Sequence, residues 1–239
     1  MCRHHLFCLA YRVLAKVKDA GGQRGVGTSL QNRLGQMFGS AGAATGDDRN
    51  RYGLAYRGGD LQIVTVLRAI TVHTREYDFA GVFRIAPDGQ ITVATDGCEY
   101  PNGLAFSPDE SVLYVAISRE SQVCFEEQEK GLVCEHRKIR VFDVAADGTL
   151  SNNRVFASMA SAEVGVPDGM KVDTLGRIFC TGSGGIWVFE PDGTHLGIIR
   201  GPEVPRNIAF GGPDFRTIYT TPGVSLYSFR VKTPGIRPY

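Results

Sequence analysis

Two short stretches of the chain place a hard oxygen donor directly after a proline and directly before a glycine: Pro101-Asn102-Gly103 and Pro167-Asp168-Gly169. An amide oxygen and a carboxylate suit Ca²⁺ or Mg²⁺, and a carboxylate also suits Zn²⁺. Asn and Asp after proline also make Asx turns, so spacing alone leaves a cation site and a pair of turns both open. A looser third copy, Pro205-Arg206-Asn207, puts a cationic side chain at the donor position. Arg206 cannot ligate a metal, and Asn207, one step out of register, can at most hydrogen-bond a substrate. Other chemistry finds little support. The six cysteines (2, 8, 98, 124, 134, 180) contain no C-x-x-C pair, and the five histidines (4, 5, 73, 136, 195) have no metal-ligand spacing. Ser183 sits in Thr181-Gly182-Ser183-Gly184-Gly185, which is not a nucleophile elbow, and no phosphate loop occurs. Gly21 to Gly27 lacks the preceding strand of a dinucleotide fingerprint and reads as a linker.

The donors head a recurring segment made of Pro, a polar residue, an apolar strand, a turn and a second strand. It runs from Pro101 to Val115, from Pro167 to Phe179 and, more loosely, from Pro205 to Tyr219. It alternates with strand, Asp-Gly, strand: Gly81–Ile85 before Asp88-Gly89, Ile139–Val144 before Asp147-Gly148, and Ile186–Phe189 before Asp192-Gly193. Asp-Gly between apolar runs predicts a hairpin, because Gly takes positive φ at no steric cost and Asp tolerates it. One copy of each segment makes four antiparallel strands, and the roughly 40–50 residues this takes are those of a propeller blade. Residues 101–157, 167–199 and 205–231 are then three blades. A β-sandwich of similar hairpins is the alternative, but it does not require the two segments to repeat in order. In a propeller the inner strands begin beside the central channel, so Asn102 and Asp168 would converge there from successive blades.

These segments resemble the C-terminal half of the SMP-30/gluconolactonase/luciferin-regenerating family. The likeness rests on residues 101–110 (PNGLAFSPDE), 166–173 (VPDGMKVD) and 208–213 (IAFGGP), and extends over about residues 80–235. It implies a six-bladed β-propeller holding one divalent cation, Ca²⁺ or Zn²⁺, in its channel and hydrolysing sugar lactones. Asn102 and Asp168 match two metal ligands of the family, and Asp168 also matches the carboxylate that acts as general base. The family's upstream metal-binding Glu, its substrate-placing Asn motif and its Asp-Pro-Pro-Tyr-Gly segment are not recognisable, and residues 1–75 contain no Glu. The expectation is therefore a lactonase with two of three protein ligands and impaired activity. The alternative is a non-catalytic propeller fragment or interaction scaffold.

Upstream the sequence differs in kind. Residues 1–80 carry eleven Lys/Arg against six Asp/Glu, and the rest fifteen against nineteen. Residues 4–18 show one apolar stripe at helical spacing, a second helical candidate follows Ser29, 39–60 read as loop, and Leu61 to His73 reads as one or two strands. The chain is expected to divide into an atypical helical or irregular region, 1–60, and propeller blades over 61–239. Six blades need roughly 240–300 residues, so the all-β ring is expected to be incomplete, with three to four blades and an unclosed apolar edge prone to self-association. A net charge of +1 gives no global attraction to nucleic acid or anionic membranes. No apolar run approaches the ~18–20 residues of a membrane helix. The default compartment is the cytoplasm, with Cys124 and Cys134 as reduced thiols in an acidic loop; a bridge between them would imply an oxidising compartment.

Overall fold

The computed structural model describes the backbone of residues 54–57 and 61–66, and in full residues 79–86, 88–118, 130–131, 133 and 136–237. The two N-terminal helical expectations and Cys124 and Cys134 lie outside the described residues. Among those described there is no helix, and these residues form fifteen strands in four antiparallel sheets.

Each sheet is a meander of consecutive strands. The first holds β1 (Leu54–Arg57), β2 (Leu61–Val66), β3 (Gly81–Ile85) and β4 (Ile91–Thr95). The second holds β5 (Pro101–Phe106), β6 (Val112–Ile117), β7 (Lys138–Val144) and β8 (Leu150–Ser158). The third holds β9 (Met170–Val172), β10 (Ile178–Gly182), β11 (Gly185–Phe189) and β12 (His195–Ile199). The fourth has three strands: β13 (Asn207–Gly211), β14 (Thr217–Thr221) and β15 (Tyr227–Arg230). β1 falls in the stretch expected to be loop. Four residues between glycines carry too short a pattern to read, and the strand gains its order by pairing Leu54 with Val64 and Arg57 with Leu61.

The Asp-Gly hairpins form as expected, with a loop one residue longer than a two-residue turn. In all three copies the Gly N–H donates to the carbonyl three residues back: Gly89 to Ala86, Gly148 to Ala145 and Gly193 to Glu190. The Asp carboxylate accepts the N–H two residues on, from Gln90, Thr149 and Thr194. Gly89, Gly148 and Gly193 have φ of 84°, 83° and 91°, the left-handed position of a type I turn followed by a bulge.

Burial follows from strands that use both faces. Along β6, Leu113, Val115 and Ile117 pack with Val82, Leu104 and Phe142, toward the first sheet. The intervening Tyr114 and Ala116 pack with Met170, Ile178 and Trp187, toward the third. Phe179 likewise turns from its neighbours Ile178 and Cys180 to join Ile208, Phe210 and Ile218 of the fourth sheet. Period-two alternation thus places an apolar layer between each pair of successive sheets. Exposure grows from the first strands outward, from a fully buried β5 to a largely exposed β8. The first strands neighbour one another in chain order, β1 beside β5, β5 beside β9 and β9 beside β13. This is a propeller-like arrangement.

The fourth sheet is the last in chain order. β13–β15 turns Ile208, Phe210, Ile218 and Phe229 inward, leaving Asn207, Ala209, Tyr219, Thr221, Ser228 and Arg230 exposed. Along these strands the outer face is mostly hydroxyl-bearing, small or charged, with Tyr219 its single large ring, while Val224 and Leu226 in the loop before β15 are exposed.

Candidate functional site

Pro101 and Pro167 stand at the entrances to β5 and β9, where a residue without an N–H costs the ladder nothing. The register of β5 on β6 jumps from Pro101 opposite Ile117 to Leu104 opposite Val115, so Asn102 and Gly103 bulge out of the ladder. A bulge re-aims a side chain, and this one carries the candidate amide. Tyr100, just before it, has a φ of 65°.

The bulge bonds to the next sheet. Gly103 N–H donates to the Asp168 carbonyl at 3.1 Å, and one sheet further on Gly169 N–H donates to the Arg206 carbonyl at 3.0 Å. The repetition fixes the register: Asn102, Asp168 and Arg206 are equivalent, and Asn207 occupies the glycine position. The approach is close enough to exclude any side chain. A Cβ on Gly103 would lie 2.0 Å from the Asp168 carbonyl oxygen, and one on Gly169 would lie 2.2 Å from Asn207 Oδ1. Asn102, in β5, and Asp168, two residues before β9, therefore lie at the starts of adjacent first strands at the same end of the sheets. Arg206 and Asn207 are exposed, and the Asn207 amide oxygen accepts the Ile208 N–H at 2.8 Å.

Asn102 is 2% exposed and Asp168 half-buried. Asn102 Nδ2 donates to Ser118 Oγ at 3.1 Å, and Ser118 Oγ donates to the Pro167 carbonyl at 2.7 Å, one residue before Asp168. The Asp168 N–H donates to the Thr181 carbonyl, and Thr181 Oγ1 donates to the Arg206 carbonyl at 3.1 Å. Ser118 and Thr181 were not singled out in the sequence. Their signal is legible in retrospect, because a hydroxyl lies within a residue of the end of the second strand in each copy: Ser118, Thr181 and Thr221.

Lys171, on β9 three residues past Asp168, donates from Nζ to the Met170 carbonyl, and burial pulls its pKa down to about 8. The Cys180 thiol on β10 is pushed well up, by burial first and then by the nearby Asp168 charge. A thiol so protonated is a packing group and a poor nucleophile. Arg137 is fully buried, donates to Ser183 Oγ at 2.8 Å, and has its pKa lowered by burial. Glu163 and Arg200 pair bidentately at 2.6 and 2.8 Å in solvent, and this holds the Glu163 carboxyl low.

Among the described residues, no three His, Cys, Asp or Glu side chains gather at one point. The donor pair at the register position is one amide and one carboxylate, a hard-oxygen set compatible with a divalent cation whose other positions are filled by water. Two features shape that position: the cradle that a Cβ at Gly103 would fill, and the buried amide of Asn102.

Known proteins are similar to this chain in sequence and in fold. A gluconolactonase of Zymomonas mobilis is 33% identical over 167 residues, spanning 67% of this chain and 43% of that protein. A pentonolactonase of Haloferax volcanii is 33% identical over 153 residues, spanning 62% of this chain and 47% of that protein. Among solved structures, a gluconolactonase of Xanthomonas campestris superposes with a TM-score of 0.61 at 29% identity, covering 82% of this chain and 60% of that one. The chain thus spans less than half the length of these two curated relatives. The model of the SMP-30/gluconolactonase/LRE-like region matches residues 59–223, beginning some twenty residues before the motifs legible in the sequence. With this match over most of its length, the chain belongs to the SMP-30/gluconolactonase/LRE-like family.

Proposed function

We propose that the chain hydrolyses a sugar lactone with the help of one divalent cation, Ca²⁺ or Zn²⁺, held by Asn102 and Asp168. The observation that carries this reading is the equivalence of Asn102 and Asp168 at the starts of adjacent first strands, tied by the Gly103 N–H bond to the Asp168 carbonyl. The cation, when bound, supplies Lewis-acid polarisation of the lactone carbonyl. Asp168 takes the proton of the attacking water as general base, and its half-buried position leaves it a path to solvent. Asn102 contributes a neutral oxygen, so the pair brings one negative charge, which favours a weakly held and exchangeable ion.

The architecture that goes with this reading is an incomplete arc of the family's six-bladed propeller, in which the four sheets are three blades of four strands and one of three. A second copy would add most readily at the outer edge of β15, where a fourth strand would lie. No helix among the described residues is long and apolar enough to cross a membrane. We assign the protein to the cytoplasm.

The test is turnover of D-glucono-δ-lactone and a pentonolactone by the full chain, with Ca²⁺, with Zn²⁺ and with chelator. Cation-dependent turnover that is lost in Asp168→Asn supports the reading. A properly folded chain with no turnover under any condition favours the scaffold alternative, and turnover that survives Asp168→Asn places the chemistry elsewhere.

A further inference from the structure

The side chain that receives the Asn102 amide is not itself a candidate ligand. We propose that Ser118 is a positioning residue that fixes the Asn102 amide with its nitrogen inward and its oxygen toward the cation; this rests on the cation reading above. The chain of reasoning starts at Pro167, whose carbonyl can only accept. Ser118 Oγ lies 2.7 Å from it, so the single hydroxyl proton is committed to that bond. Ser118 then has only lone pairs to offer Asn102, and the amide group 3.1 Å away must present its NH₂. A flipped amide would set oxygen against oxygen with no proton between them, inside a site where Asn102 is 2% and Ser118 7% exposed and water cannot compensate. With Nδ2 turned to Ser118, Oδ1 occupies the opposite branch of the amide, the atom a hard cation needs.

Thr181 shows what is general and what is particular. Its hydroxyl also crosses to the next sheet, at the Arg206 carbonyl, so a cross-sheet hydroxyl bond from near the end of the second strand recurs in the fold. Acceptance from the amide of a candidate ligand is the feature Ser118 adds. Because the same hydroxyl also holds the peptide that precedes Asp168, one side chain sets the geometry of both donors.

The test compares full-length wild type with Ser118→Ala, Ser118→Thr and the nearly isosteric Ser118→Cys. Two measurements are made: hydrogen exchange of the Asn102 side-chain NH₂, assigned by its loss in Asn102→Asp, and Ca²⁺ affinity by calorimetry. Ser118→Ala is expected to lose the exchange protection and to bind Ca²⁺ about 10–100-fold more weakly, the usual cost of removing a ligand's supporting partner. Ser118→Thr should keep both within about threefold, and Ser118→Cys, a weak donor and acceptor, should fall between and serves if the alanine variant does not fold. The proposal is overturned if Ser118→Ala keeps both properties, or if Ser118→Thr fails as fully as alanine, which would mark the site as sterically structural. Wild type that protects the Asn102 amide yet binds no Ca²⁺ or Zn²⁺ overturns the cation reading and the purpose assigned to Ser118. Wild type without protection overturns the orientation itself.

Discussion

Gly103→Ala puts the approach of β5 to β9 to a direct test. The new Cβ would lie 2.0 Å from the Asp168 carbonyl oxygen and 3.0 Å from the Met170 nitrogen. Both are backbone atoms, so no rotamer change relieves the clash. Restoring an ordinary contact moves the strands apart by more than 1 Å, which takes the 3.1 Å Gly103–Asp168 hydrogen bond beyond bonding range. Overpacking costs about 1–3 kcal/mol, and a buried donor and acceptor left unpaired add about 1–3 kcal/mol. A total near ~3 kcal/mol corresponds to a fall in Tm of about 6–12 °C for a chain of this size. The assay is thermal unfolding followed by circular dichroism. Gly201→Ala is the control, since its Cβ meets nothing nearer than 3.7 Å and should change Tm by no more than about 2 °C. If Gly103→Ala melts within 2 °C of wild type while the control behaves, the two strands do not approach as described, and the register linking Asn102 to Asp168 loses its support.

Lys171→Met should raise Tm at pH 7, and the difference from wild type should shrink as pH rises toward 10. The folded pKa of Lys171 lies near 8, below its ordinary value of 10.5, so the unfolded chain binds more protons between those values and wild-type stability gains with pH there. A difference that is constant or grows with pH refutes the assignment of cause. Cys98, pushed up to about 12 by burial, and Cys180, pushed higher, should resist iodoacetamide at pH 8 in the folded chain and react only in denaturant; rapid labelling of either in the native state contradicts the packing. Asp173 is fully buried and accepts the backbone N–H of Leu175 and of Arg177 together with the Arg177 guanidinium. Asp173→Asn should therefore cost about 3–5 kcal/mol in urea unfolding. Glu163→Gln breaks a solvent-exposed ion pair with Arg200 and should leave the urea midpoint essentially unchanged.

What could be read in advance was whatever repeats. The Asp-Gly turns recur because three hairpins have the same steric need, and each Asp and Gly performs the same task in the structure. The equivalence of Asn102 and Asp168 was legible for the same reason, and the Gly103 and Gly169 hydrogen bonds realise it in space. Leu54–Arg57 escaped because four residues carry no period, and their strand exists through its partner. Ser118 escaped because its role depends on a carbonyl 49 residues away, a relation no local pattern encodes. The hydroxyl-rich outer face of β13–β15 escaped because Ile208-Ala209-Phe210 and Thr217-Ile218-Tyr219 look equally apolar on both sides until the register assigns Ala209 and Tyr219 to solvent.

The most direct measurement of the central claim is anomalous diffraction from crystals of the full chain soaked in Zn²⁺, with a parallel Ca²⁺ soak. The account predicts one peak bonded to Asn102 Oδ1 and an Asp168 carboxylate oxygen, at about 2.0–2.2 Å for Zn²⁺ and about 2.3–2.6 Å for Ca²⁺. The Asn102 nitrogen should still face Ser118. A well-ordered site that stays empty at millimolar cation, or a peak held by other residues, would contradict it.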